Sequence, residues 1–176
     1  MGKSDIDMFA SRTSHQLPKY VSWRPDPMSF ATDALQQDWT YRFLYAFPPF
    51  CLVGQTLRKV ERHHARMIIV APLWVSQPWY PLLLDMAIAN PILIPSRKKT
   101  LMNPGMETHP LMENGTLTLT AWLVSGKAQD RVEFRKQLCR SYPEQEPEEL
   151  EKITQRPGTN SPAGVIDGKL IHFHVL

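Results

Sequence analysis

The chain predicts an α/β fold, a small, mostly parallel sheet with flanking helices and an irregular C-terminal tail. Two observations carry this. Met67-Ile68-Ile69-Val70-Ala71 is an unbroken apolar, β-branched run, as a strand buried on both faces requires. Short apolar strands also alternate with helical patterns through the middle of the chain, the order that builds parallel sheets.

The elements follow in order. Ile6, Met8 and Phe9-Ala10 form a first strand, closed by the polar Ser11-Arg12-Thr13-Ser14. From Leu17 to Phe30, prolines 18, 25 and 27 forbid a long helix and favour extended loop. Thr32-Asp33-Ala34-Leu35 starts one helical turn. Arg42 to Phe47, rich in aromatic residues, reads as a buried strand stopped by Pro48-Pro49. A helix is predicted from Leu52 to Ala65, with Val53, Leu57, Val60 and His64 on one face. Pro78 suits the first turn of a second helix running to about Ala89, and Ile92-Leu93-Ile94 is a short strand between Pro91 and Pro95. Leu117, Leu119, Ala121 and Leu123 alternate with Thr118, Thr120 and Trp122, a half-buried strand with the leucines inward.

Beyond Gly126 the character changes. Val132 to Arg140 suggests a short helix with Phe134 and Leu138 on one side. A proline- and glutamate-rich stretch from about Tyr142 reads as linker. Val165 to Ile171 reads as a hairpin turning on Asp167-Gly168. The expected division is therefore a domain over residues 1–126 and a linker-like tail over 127–176.

Composition narrows the function classes. The 176 residues carry a formal charge of +3, with 43% hydrophobic and 21% charged, ordinary values for a globular domain. Proline is the exception, 16 residues against a usual ~5%. Eight glycines without a three-residue period exclude collagen. Two cysteines, Cys51 and Cys139, exclude a disulfide scaffold. No apolar run is long enough for a membrane span or a secretory signal. Ile6 stands where myristoylation wants Ser or Thr. Asn114-Gly115-Thr116 fits a glycosylation sequon but, without secretion, reads as a turn. The expected location is intracellular, cytoplasmic or nuclear.

Among chemical motifs, Ala46-Phe47-Pro48-Pro49-Phe50 is the most informative. Two fixed φ angles make a stiff turn at the carboxyl end of a strand, where open α/β sheets bind ligands. Arg58, Lys59, Arg62 and Arg66 form one basic cluster, opposed only by Glu61, and Lys98 and Lys99 follow Arg97 in a second. Both could contact phosphates, though on charge alone a solvated helix face and a basic loop fit them better. His63-His64 point about 100° apart on a helix. His172 and His174 share a strand face without a third ligand at metal spacing. No metal is expected.

Several longer segments carry a resemblance. Asp7-Met8-Phe9-Ala10-Ser11, Tyr20, Asp33-Ala34-Leu35, Asp38-Trp39 and the Pro-Pro-Phe turn resemble phage-type Dam adenine methyltransferases in order and spacing. Gln16 to Pro27, Tyr45 to Phe50, Ala71-Pro72-Leu73-Trp74, Gln77 to Leu83, Trp122 to Gly126 and Ala163 to Ile171 resemble the Dam-like region of DIRS-type tyrosine-recombinase retrotransposon polyproteins, between RNase H and recombinase. The resemblance spans nearly the whole chain and implies a Rossmann-like, methyltransferase-related fold.

It further implies that Pro48, Pro49 and Phe50 form the target-base turn. Asp7 and Phe9, Ala10 and Ser11 would lie near an S-adenosylmethionine pocket, with Asp33 or Asp38 lining its adjoining edge. The chain departs from the family at Phe47, where an amide or carboxylate would accept from the target amine; a benzyl group cannot. It also lacks a glycine after the first strand, where close cofactor approach would want one. The expectation is a retrotransposon-derived module that has lost catalysis and binds no cofactor, with a structural or nucleic-acid-binding role toward DNA, RNA or neighbouring polyprotein domains. The alternative is an active S-adenosylmethionine-dependent DNA adenine methyltransferase.

Overall fold

The computed structural model describes residue 4 and residues 6–95, 117–138 and 162–175. Among the described residues ten strands and three α-helices follow in order. They are β1 (Ile6–Ala10), β2 (Lys19–Ser22), β3 (Ala31–Thr32), β4 (Phe43–Ala46), α1 (Val53–Arg62), β5 (Arg66–Pro72), α2 (Tyr80–Met86), β6 (Ile92–Ile94), β7 (Leu119–Ser125), α3 (Ala128–Gln137), β8 (Pro162–Ile166), β9 (Lys169–His172) and β10 (His174–Val175). Eight strands make one sheet in the order β10-β6-β7-β5-β4-β1-β2-β3, and β8-β9 form a separate hairpin. Every neighbouring pair in the large sheet is parallel except the two that β7 makes, with β5 and with β6. The fold is α/β with a mostly parallel sheet, as the sequence predicts.

Burial alternates along the central strands, so the two faces can be told apart. Met8, Leu44, Ala46, Met67, Ile69, Ala71, Trp122 and Val124 belong to one large hydrophobic cluster. That cluster takes in Val53, Leu57 and Val60 of α1, Tyr80, Leu83 and Leu84 of α2, Phe134 of α3 and Ala163 and Ile171 of the hairpin. Each α1 side chain in it is fully buried, worth about 1.5–3 kcal/mol apiece. Among the described residues the opposite face holds a smaller cluster of Val70, Leu117 and Leu119, flanked by Tyr45, Phe47, Phe50 and Trp74.

The imbalance has a topological cause. From β1 to β3 the chain steps one way along the sheet, and from β4 to β5 it steps the other way. Right-handed crossovers send those two series to opposite faces. The second series carries α1 and α2. The first is connected by residues 11–18 and 23–30, which contain no helix and three prolines. Among the described residues the sheet is therefore helix-covered on one face only.

Four readings change at this level. Lys19–Ser22, expected as loop, pairs in parallel with β1. The first helix ends at Arg62, so His64 leaves the apolar stripe and sits at φ 49. The second helix is shorter than expected, Tyr80–Met86, with Pro81 rather than Pro78 in its first turn. On β7 it is Trp122 and Val124 that face the helices, while Leu117 and Leu119 belong to the cluster on the other face.

The tail's described parts are integrated with the sheet. Tyr80 donates to the Ala163 carbonyl at 2.9 Å in the interior, and β10 pairs with β6. Arg131 and Arg135 of α3 both bind Asp85 of α2, and Arg135 also reaches Asp167 in the hairpin turn. That turn has Asp167 at φ 49 and Gly168 at φ 70, the pair of left-handed residues a two-residue hairpin wants. Residues 142–161, read as linker, lie outside the described residues, as do Asn114-Gly115-Thr116 and Cys139. Cys51 is a free, exposed thiol.

Candidate functional site

At the carboxyl ends of β1 to β4 the chain forms a cleft of about 440 Å³. Met8 and Phe9 enter it from β1, Val21 and Trp23 from the end of β2, Asp33 and Leu35 from beyond β3, and Pro49 and Leu52 from beyond β4. Strand order reverses between β1 and β4, and open α/β sheets bind ligands at such a reversal. The walls are mainly apolar, and Asp33 is the sole carboxylate among them.

Asp33 is held in an unusual backbone conformation, φ 59 and ψ 97. Its N–H donates to the Ser22 carbonyl at 2.7 Å, which ties the end of β3 to β2. Its Oδ1 accepts from the Leu35 N–H at 3.0 Å, capping the 3₁₀ turn Ala34–Gln36. Oδ2 has no partner among the described residues. A cleft of this make-up suits a flat apolar ring whose hydroxyl or amine donates to Asp33.

The other residues expected around a cofactor are placed differently. Phe9 lines the cleft, and Ala10 closes β1 beside it. The Ser11 hydroxyl lies 2.9 Å from Ser14 Oγ and 3.2 Å from Thr13 Oγ1, and its carbonyl accepts from the Ser14 and His15 N–H groups. The Ser11 turn thus satisfies itself. Asp7 is buried in mid-strand, on the helix-free face, paired in register with Tyr20 and Tyr45. Oδ2 of Asp7 accepts from the Gln16 N–H at 3.0 Å, while its buried Oδ1 has no partner. Burial raises its pKa, offset in part by the Gln16 and Phe9 N–H groups. Asp7 is not among the residues lining the cleft. Sequence reasoning missed Trp23 and Leu52; Trp23 follows Lys19–Ser22, a strand that the sequence hides as loop.

The Pro-Pro-Phe turn stands at the carboxyl end of β4. Pro49 borders the cleft, and its carbonyl accepts from the Leu52 N–H at 2.8 Å to start the turn Phe50–Leu52. Phe50 points elsewhere. Its ring packs edge-on with Trp74 at 5.0 Å and tilted against Phe47 at 6.2 Å. Aromatic contacts of this kind contribute about 0.5–1.5 kcal/mol each, so swinging Phe50 out to stack on a base would forfeit them.

The basic residues do not converge on this cleft. Helix α1 runs from the Pro-Pro-Phe turn back to the start of β5, carrying Arg58 and Arg62, both exposed. Lys59 lies over the Trp39 ring at 5.1 Å with Nζ 3.3 Å from His63 Nε2; desolvation lowers its pKa. Arg66 is clamped by Asp130 through Nε at 2.8 Å and Nη2 at 2.7 Å. Lys98 and Lys99 lie outside the described residues.

Among the described residues no cluster of His, Cys, Asp or Glu is arranged to hold a metal, and no helix is long and apolar enough to cross a membrane. Family models and curated proteins were both searched, and neither search finds a match to this chain.

Proposed function

We propose that the chain is a methyltransferase-related module of a retrotransposon-derived polyprotein that has lost catalysis and serves a structural or nucleic-acid-binding role. The retrotransposon part rests on the sequence resemblance; the observation that supports the methyltransferase-related part is the sheet order around the Pro-Pro-Phe turn. Read without β10, it is β3-β2-β1-β4-β5-β7-β6 with β7 alone antiparallel, the arrangement of Rossmann-like methyltransferases. The turn follows β4, and the apolar cleft opens beside it.

Loss of catalysis is supported by the same residues. Phe47 offers no acceptor for an amine, Phe50 is packed on Trp74, and the connections 11–18 and 23–30 contain no helix to wall the cleft. The alternative, an active S-adenosylmethionine-dependent DNA adenine methyltransferase, draws on the cleft itself and on the open Oδ2 of Asp33. Methyl transfer from a sulfonium needs positioning more than a strong base, so the absence of a basic group there does not separate the two readings.

The test is a transfer assay with methyl-labelled S-adenosylmethionine and adenine-containing single- and double-stranded DNA. The proposal expects no label above a no-protein control. Label that appears on adenine and disappears in Pro49→Ala would establish the alternative.

A further inference from the structure

A second cleft, about 330 Å³, opens at the opposite, amino-terminal edge of the sheet, where β4 and β5 begin and β7 ends. Tyr41, Arg42, His64, Arg66 and Lys127 line it. Three of these are cations, and the carboxylate nearest them, Asp130, is already spent on Arg66. That clamp orients the guanidinium and leaves Arg66 Nη1 without a partner among the described residues. Arg42 is exposed and makes no ion pair there. Lys127 Nζ sits 5.0 Å from the Tyr41 ring centroid, at the mouth of the cleft.

Two lining residues carry backbone strain. Tyr41 has φ 56 and His64 φ 49, left-handed values that L side chains disfavour. Neighbours hold both in place. The Tyr41 N–H donates to the His63 carbonyl at 3.1 Å, and the Tyr41 and His64 rings stack at 6.1 Å. Gly126 packs so closely on the His64 turn that a Cβ there would lie 2.9 Å from His64 Cα. His64 Nδ1 donates to the Gly126 carbonyl oxygen at 3.3 Å, which fixes the ring against the end of β7. Strain maintained by surrounding structure is characteristic of binding sites, and a rigid cleft with surplus positive charge favours an anion.

We propose that this edge cleft binds a phosphate group, held by Arg42, Lys127 and the free Nη1 of Arg66, with the Tyr41 hydroxyl as a further donor. The phosphate belongs either to a free nucleotide or to a nucleic-acid backbone. The site is at the other edge of the sheet from the Asp33 cleft and does not depend on any reading of that cleft.

The experiment is an amide NMR titration of the full chain with inorganic phosphate, adenosine monophosphate and a single-stranded oligothymidylate. Saturable shifts at Tyr41, His64 and Gly126 are expected, weakened at least tenfold in Arg42→Gln and, separately, in Lys127→Gln, but not in Lys136→Gln. Both tested residues are on the surface, and thermal melts verify that each variant keeps the parent Tm. Comparable affinity for the monophosphate and the oligonucleotide identifies a free phosphate ligand; tighter oligonucleotide binding with a steep salt dependence identifies a nucleic-acid backbone. No saturable shift with any probe, or unchanged affinity in both folded variants, overturns the proposal.

Discussion

Gly126→Ala is expected to destabilise the fold by several kcal/mol, and Gly54→Ala to stabilise it. At Gly126 an added Cβ would meet the Val60 carbonyl oxygen at 2.1 Å and His64 Cα at 2.9 Å. Both are backbone atoms, so neither a rotamer change nor a flexible tip relieves the clash. The end of β7 must move away from the end of α1 by about an ångström. That motion strains the Gly126 N–H to Ala65 carbonyl bond of 2.8 Å, worth about 1 kcal/mol. Overpacking in a close-packed interior adds about 1–3 kcal/mol, for a total near 3 kcal/mol. Gly54, in the first turn of α1, is the opposite case. A Cβ there meets Trp79 Cβ at 3.5 Å, ordinary contact, and alanine gains up to ~1 kcal/mol in helix propensity. Urea unfolding followed by fluorescence of Trp39 and Trp122, both fully buried, measures the two variants side by side. Gly126→Ala within ~0.5 kcal/mol of the parent would refute the close approach between β7 and α1.

Other substitutions test other parts of the account. Leu57→Ala removes a fully buried side chain of α1 and should cost about 2–5 kcal/mol, read by the same unfolding assay. Asp7 has a folded pKa raised above its unfolded value, so its contribution is fully present below the unfolded pKa and lost as pH rises through the folded one. Asp7→Asn should remove that loss, leaving the ratio of variant to parent stability higher at pH 7 than at pH 4. Asp26, held near pKa 2 chiefly by Arg12, runs the other way: its stabilisation is present above about pH 4 and disappears as pH falls through 2. Asp26→Asn should therefore flatten the acid limb of a stability–pH curve. For nucleic acid, Arg58→Gln with Arg62→Gln should lower the slope of log K against log salt by about 0.7–0.9 per phosphate contact removed; an unchanged slope would dismiss α1 as a contact surface.

Much of this fold is legible in the chain, and the gaps have physical causes. The β-branched run at Met67 to Ala71 could only be a central strand, and Asp167-Gly168 supplies the left-handed pair its hairpin uses. β2 was hidden because prolines 18 and 25 fence off just Lys19–Ser22, a strand whose only reason to form is a partner in β1. His64 satisfies helical spacing, but spacing does not register that the chain must turn back to enter β5. Trp122 looked like the polar side of an alternating strand. Its indole N–H finds Thr120 Oγ1 at 2.8 Å, and so it can face the core. In the candidate sites, the Pro-Pro-Phe turn was visible as a local motif, and Asp33 only through the resemblance. The Arg66–Asp130 clamp and the Tyr41–His64–Lys127 cleft were not, since their members are far apart in sequence and meet only once β5 and β7 are side by side.

Calorimetric titration of S-adenosylmethionine into the full chain tests the central claim most directly. A cleft with no glycine turn after β1 and no helix in the first two crossovers predicts no heat beyond dilution at millimolar ligand. Saturable binding in the micromolar range, abolished by Asp33→Ala in a variant that still folds, would contradict it.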